Sequence, residues 1–145
     1  RDEYVTMGYS KEKFTVPSNV YIIGTMNTAD RSLAQLEIAL RRRFAFMTLT
    51  PNFNEKWRSY LLQQGVSEHL IEQILSLVQQ INEEIRNDFQ LGSGYEIGHS
   101  FFTNVADDMT EQPWFEKIIQ YEIKPLLEEY FFDRPEIVST LLAGY

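Results

Sequence analysis

Val20-Tyr21-Ile22-Ile23-Gly24-Thr25-Met26-Asn27-Thr28-Ala29-Asp30-Arg31-Ser32 is the stretch on which the fold turns. An apolar run bounded by Pro17-Ser18-Asn19 and by Asn27 predicts a strand over 20–26, buried on both faces. A polar turn follows. Asp30 or Ser32 can cap a short helix in which Leu33, Leu36 and Leu40 form an apolar stripe, widened by Ile38 and Ala39. That helix closes on Arg41-Arg42-Arg43, and Phe44 to Leu49 is a second strand candidate. Upstream, Tyr4-Val5-Thr6 and Phe14-Thr15-Val16 flank Gly8-Tyr9-Ser10, which predicts a hairpin over 4–16. Two buried-type strands do not make a sheet by themselves. The first 52 residues therefore call for strands from elsewhere.

Past Pro51-Asn52-Phe53-Asn54 the pattern becomes helical. Glu55 to Gln64 reads as one helix with Gly65 as its stop. Ser67 can cap a long second helix, in which Leu70, Ile74, Leu77, Val78, Ile81, Ile85 and Phe89 recur at steps of three or four and form one core-facing stripe. A glycine-rich connector spans Leu91 to Ser100. Pro113 to Phe132 is a third helical segment, kinked or broken near Pro125, with Tyr130, Phe131 and Phe132 read as core. Pro135 suits the first turn of a last helix that ends by Gly144. The predicted class is α/β plus all-α: a remnant of an α/β subdomain over 1–52 and a helical bundle over 53–145. No internal repeat and no low-complexity tract interrupts it.

Composition narrows the function. The chain has 145 residues, enough for one domain with a core or for two small pieces. It has no cysteine, which excludes disulfides, thiolate zinc sites and cysteine nucleophiles, and is compatible with a reducing cytosol. A cytoplasmic location is the expectation. No apolar run has the length of a membrane span. Arg1-Asp2-Glu3-Tyr4 has neither an initiator methionine nor a signal-peptide pattern, so a fragment of a longer protein is expected. The net charge of −8 argues against this piece gripping nucleic acid. Charge is unevenly placed: Arg31, Arg41, Arg42 and Arg43 face Glu37 alone, whereas acids dominate from Asp107 to Glu136. A local basic cluster suits a phosphate or an acidic neighbour better than a long polyanion.

Each candidate residue carries two readings. Asn27 stands where a buried strand ends, the place where open α/β sheets bind ligands. Its amide can donate to a phosphate oxygen and accept from a water; it is equally a turn asparagine. Asp30 can take a proton or hydrogen bond from the same water, or cap the helix. Arg41, Arg42 and Arg43 complement a helix C-terminus. Neighbours sit about 100° apart, so the three cannot share one face. One reaching a nucleotide on an adjacent subunit would act as an arginine finger. His99 is either a polar residue at a helix start or a group near a phosphate. His69 reads as solvent-facing, and two distant histidines make metal ligation improbable. The glycine-rich connector lacks the Gly-Lys-Ser/Thr ending of a P-loop, and no Gly-x-Ser-x-Gly elbow is present.

Gly24 to Ser32 and Ala39 to Phe44 resemble the McrB family of AAA+ proteins, the GTP-driven motors of modification-dependent restriction systems. Met26-Asn27-Thr28-Ala29-Asp30-Arg31-Ser32 looks like that family's signature. Ile97-Gly98-His99-Ser100-Phe101-Phe102 and Ile123-Lys124-Pro125-Leu126-Leu127-Glu128-Glu129-Tyr130-Phe131-Phe132 extend the likeness over nearly the whole chain. The resemblance implies that Asn27 occupies the sensor 1 position with Asp30 in the same signature. It makes Arg42 and Arg43 the foremost finger arginines, with Arg41 beside them, acting in trans around a hexameric ring. Thr28, His99 and Ser100 become candidate nucleotide contacts, and residues 53–145 a lid over GTP or ATP with Mg2+. An McrC-like nuclease subunit is the implied partner, and DNA is engaged through other regions. The Walker A and Walker B motifs are absent from this stretch, and a lid arginine (sensor 2) is not evident. The fragment alone is therefore expected to be inactive, and the lid to be its better-ordered part. The nearest rivals are a MoxR-like remodelling ATPase and a non-catalytic ring subunit; a free-standing helical interaction domain is a third.

Overall fold

The computed structural model describes residues 4–26, 39–105 and 110–145. Asn27 to Ile38, and with them the capping and stripe assignments of the short helix, lie outside the described residues.

The hairpin expected over 4–16 is present as a minimal antiparallel ladder, β1 (Val5–Thr6) with β2 (Lys13–Phe14), in the register Val5↔Phe14 and Thr6↔Lys13. The two longer strands are not formed. Residues 20–26 and 45–50 have irregular backbone, and Ile23, Met47 and Leu49 are 92%, 85% and 85% exposed. The physical reason is non-local. A strand buried on both faces gains its stability from neighbours on either edge, and among the described residues none is supplied.

The rest is a helical bundle with its own core. In α1 (Glu55–Gln63), Asn54 caps the first turn, its side-chain oxygen accepting from the N–H groups of Lys56 and Trp57 at 3.0 and 3.1 Å. The helix stops at Gly65, whose φ of +86° suits glycine. The N–H of Val66 reaches the carbonyl of Leu61 and that of Gly65 the carbonyl of Leu62, each at 3.1 Å. This is a Schellman closure, and its apolar pair, Leu61 and Val66, is buried.

In α2 (Glu68–Asn87), Ser67 accepts from the Leu70 N–H, and the carboxylate of Glu111 accepts from the Ser67 N–H at 2.6 Å. The predicted stripe is buried at Leu70, Ile74, Leu77, Val78, Ile81 and Ile85. Phe89 departs from it at 88% exposed. Asp88 turns extended, with ψ 128°, so Phe89 leaves the helical spiral that would have carried it inward. Asp88 itself becomes a staple. Its carboxylate accepts from the N–H groups of Gln90 and Leu91 and pairs with Arg134 at 2.5 Å, with the Asp88 side chain 2% exposed. The Arg134 guanidinium holds that carboxyl below its ordinary value, against the opposing effect of burial.

A continuous helical rod then runs through α3 (Glu111–Ile118), a π-helical stretch at Ile119–Ile123, and α4 (Lys124–Tyr130). The kink expected at Pro125 takes this form. Proline has no N–H to give the preceding turn, so the ladder widens just before it and the Lys124 N–H reaches back to Ile119. Trp114, Phe115, Ile118, Ile119, Ile123 and Leu127 all face inward. The rod ends at Tyr130. Phe131 is buried, Tyr130 is half-buried, and Phe132 is 77% exposed, so the aromatic trio is core only in part. Pro135 opens α5 (Pro135–Leu141), which packs on α2 and α4 through Val138.

Candidate functional site

The connector between α2 and α3 is pinned rather than loose. The glycine-rich part forms a 3-10 turn at Ser93–Tyr95, and a second 3-10 turn, His99–Phe102, begins at His99 as the sequence suggested. Ile97 and Phe102 plunge into the core at either end of Gly98-His99-Ser100-Phe101. This leaves His99 half-buried and facing the stretch that leads into α1. Its Nδ1 accepts a hydrogen bond from the backbone N–H of Asn52 at 3.2 Å, across 47 residues of sequence. Its ring stands edge-on to Phe53, with centroids 6.1 Å apart, and Phe53 stands edge-on to Trp57 at 5.0 Å. With Nδ1 accepting, the neutral ring carries its proton on Nε2.

Around this contact lies an open depression of about 330 Å³, lined by Asn52, Asn54, Lys56, Trp57, Tyr60 and His99, with Thr103 at its rim. Its polar groups are mainly donors: the Lys56 ammonium, the two asparagine amides and the imidazole. The Tyr60 hydroxyl is committed to the Thr103 carbonyl at 2.9 Å. The Trp57 indole N–H is itself buried, with no acceptor among the described residues, and is not presented to the depression. A donor-rich concavity of this kind suits a ligand rich in oxygen or ring-nitrogen acceptors.

Ser100 is exposed and is not among the residues lining the depression; its carbonyl accepts from the Thr103 hydroxyl at 2.8 Å. Asn27, Thr28 and Asp30 lie outside the described residues. Residues 39–41 are helical and all three arginines are exposed. Arg43 turns its Nη1 back onto the Ala39 carbonyl at 3.0 Å, the helix-closing role open to it from sequence. Arg41 stacks its guanidinium over the Phe46 ring at 5.0 Å. Arg42 makes no ion pair or hydrogen bond among the described residues.

The sequence did not single out Asn52, Lys56, Trp57 or Tyr60, because their relation to His99 is made only by folding. It also passed over Asn82, although a signal existed. Asn82 is a polar residue inside the apolar stripe of α2, and it is buried. Among the described residues no group of His, Cys, Asp or Glu side chains is arranged to hold a metal ion, and no helix is long and apolar enough to cross a membrane.

Comparison with known proteins adds two findings. Residues 73–139 match the family model for McrB, alpha-helical lid domain. Over 138 residues, 90% of the chain, the sequence is 44% identical to the type IV methyl-directed restriction enzyme EcoKMcrB subunit of Escherichia coli strain K12. The chain spans 30% of that relative's length.

Proposed function

We propose, from the McrB-type lid that residues 73–139 carry, that this chain is the C-terminal part of an AAA+ nucleotide-hydrolysing module in a restriction system. The observation that carries the proposal is the reach of the similarity. Identity of 44% over 90% of the chain runs far outside the lid match and into the segment that holds the Asn27 signature and the arginine triplet. The uncovered apolar side chains at Ile23, Met47 and Leu49 support the same reading, since strands of this type belong inside a larger sheet.

On this proposal the intact protein hydrolyses GTP, with ATP as the alternative, and the cycle drives DNA translocation alongside an McrC-like nuclease subunit. Asn27 orients the attacking water and Asp30 accepts from it. Arg42 serves a neighbouring subunit's nucleotide in a homo-oligomeric ring; among the described residues it makes no hydrogen bond or ion pair, whereas Arg43 is turned onto its own helix. His99 and the depression around it supply the lid's donors to the nucleotide, with Thr28 a further contact from the turn. Ser100, which does not line the depression, is a weaker member of the set. Mg2+ is assigned to residues elsewhere in the protein, as the resemblance to McrB-type AAA+ proteins implies.

The test is subunit mixing. Full-length protein carrying Arg42→Ala is combined with subunits whose own hydrolytic site is dead. Fingers contribute roughly 10³–10⁵ in rate, so turnover should collapse in Arg42→Ala alone and return in part on mixing, where the dead subunit's Arg42 completes the variant's intact site, whereas Arg41→Ala alone should keep its turnover. Unchanged turnover in Arg42→Ala alone, or no recovery on mixing, removes the finger assignment at Arg42.

A further inference from the structure

Asn82 is a buried polar residue, 6% exposed on a stripe that is otherwise apolar. A primary amide in such a place is costly unless both its ends are bonded. Both are, and to the same residue. Oδ1 accepts from the Ile97 N–H at 2.6 Å, and Nδ2 donates to the Ile97 carbonyl at 3.0 Å. One bond would tether the connector and leave it free to swivel. Two bonds to one residue fix the position and rotation of the backbone at that point, as one rung of an antiparallel ladder would. The Ile97 side chain, itself in the core, is a third anchor.

What this fixes is two residues from His99. The His99–Phe102 turn springs from Ile97-Gly98, and its far end is held by Phe102 in the core. His99 then meets the Asn52 N–H at 3.2 Å against the Phe53 ring. A leucine at position 82 would fill the core equally well. It would leave the backbone at Ile97 unpaired and the direction of the His99 turn unspecified. The amide is thus a device for orientation, placed in a core that did not need it for burial.

We infer that Asn82 is the positioning residue for His99, setting from inside the lid the geometry of the imidazole that faces the depression. The inference rests on the proposed role of His99 in nucleotide contact, and its test separates the two. In the full-length protein, steady-state GTP hydrolysis is measured for His99→Ala, Asn82→Ala and the double variant. His99→Ala and Asn82→Ala should each raise KM about tenfold with kcat within about threefold, the pattern of lost binding common to ground and transition states. The double variant should be no worse than His99→Ala alone, because Asn82 acts through His99. Additive losses, or an unchanged KM in Asn82→Ala beside a raised one in His99→Ala, overturn the positioning role and leave the His99 reading intact. An unchanged KM in His99→Ala overturns that reading instead.

A second arm does not depend on nucleotide. The chain has two histidines, and His69 is exposed on α2. In ring 15N spectra of the 145-residue chain, Asn82→Ala should move the His99 signals and leave those of His69 in place. Asn82→Asp retains the acceptor for the Ile97 N–H and serves the same comparison where the alanine variant does not fold. Unmoved His99 signals in a folded variant overturn the inference.

Discussion

Replacing Asn82 by alanine removes both hydrogen bonds that hold Ile97 and leaves its N–H and carbonyl inside the core. An orphaned buried backbone group costs about 1–3 kcal/mol. Two of them, partly relieved by local shifts of the connector, give an expected loss of about 2–4 kcal/mol. That is a large share of the roughly 5–15 kcal/mol that holds a domain together. The assay is urea unfolding of the 145-residue chain followed by tryptophan fluorescence. The chain has two tryptophans, Trp57 and Trp114, and both are buried in the helical bundle, so the signal reports the lid and not residues 4–49. For an m-value of about 1.5 kcal/mol per molar urea, the midpoint should fall by roughly 1.3–2.7 M. Gln80→Ala, exposed on the same helix, is the control and should stay within about 0.5 kcal/mol of the parent. A midpoint shift for Asn82→Ala below about 0.5 M, with an unchanged slope, would refute the reasoning. It would mean that the connector finds its backbone partners without the amide.

Asp88 predicts an acid-labile staple. Its folded carboxyl is depressed, chiefly by Arg134, so the stability it provides is present above the unfolded value near pH 4 and is lost as pH falls through the folded value. Urea midpoints measured from pH 5 to pH 2 should therefore fall more steeply for the parent than for Asp88→Asn, and parallel curves would count against the staple. Gly65→Ala places a side chain at φ +86° and should cost on the order of 1 kcal/mol, read as a melting-temperature drop; no drop would mean that α1 can close without its Schellman turn. Asn54→Ala removes the α1 cap and should cost about 1 kcal/mol by the same measurement, and a cost indistinguishable from zero would show that another group satisfies Lys56 and Trp57.

The lid was legible wherever stability is local. The cap at Ser67, the stop at Gly65 and the stripe from Leu70 to Ile85 follow from spacing and side-chain chemistry within single helices. Legibility failed two residues past the ends of elements. Phe89 and Phe132 continue their periodic patterns on paper, but the helices that would have turned them inward have already ended at Asn87 and Tyr130. The π stretch left a trace that periodicity could have caught. Ile119, Ile123, Leu127 and Phe131 are buried at steps of four. Each such step overshoots an ideal turn by about 0.4 residue, and a wider turn before Pro125 brings the line back. The strands expected over 20–26 and 44–49 are not formed, for the opposite reason: a buried strand gains its stability from partners, and among the described residues none is supplied.

The candidate site divides along the same line. Residue types gave His99 and the arginines, while partners gave Asn52, Trp57 and Asn82. The His99–Asn52 bond joins the lid's interior to the stretch just before α1, and on the proposed function a closing lid turns about that stretch. One neutral hydrogen bond is worth about 0.5–1.5 kcal/mol net, so it can shift a two-state equilibrium only a few-fold. That is too little to lock the lid and enough to bias it. A ligand that engaged His99 in exchange for Asn52 would alter that bias at small cost. The stiffness of the arrangement must then come from behind the imidazole, where the two bonds from Asn82 to Ile97 hold the turn in place whichever partner His99 takes.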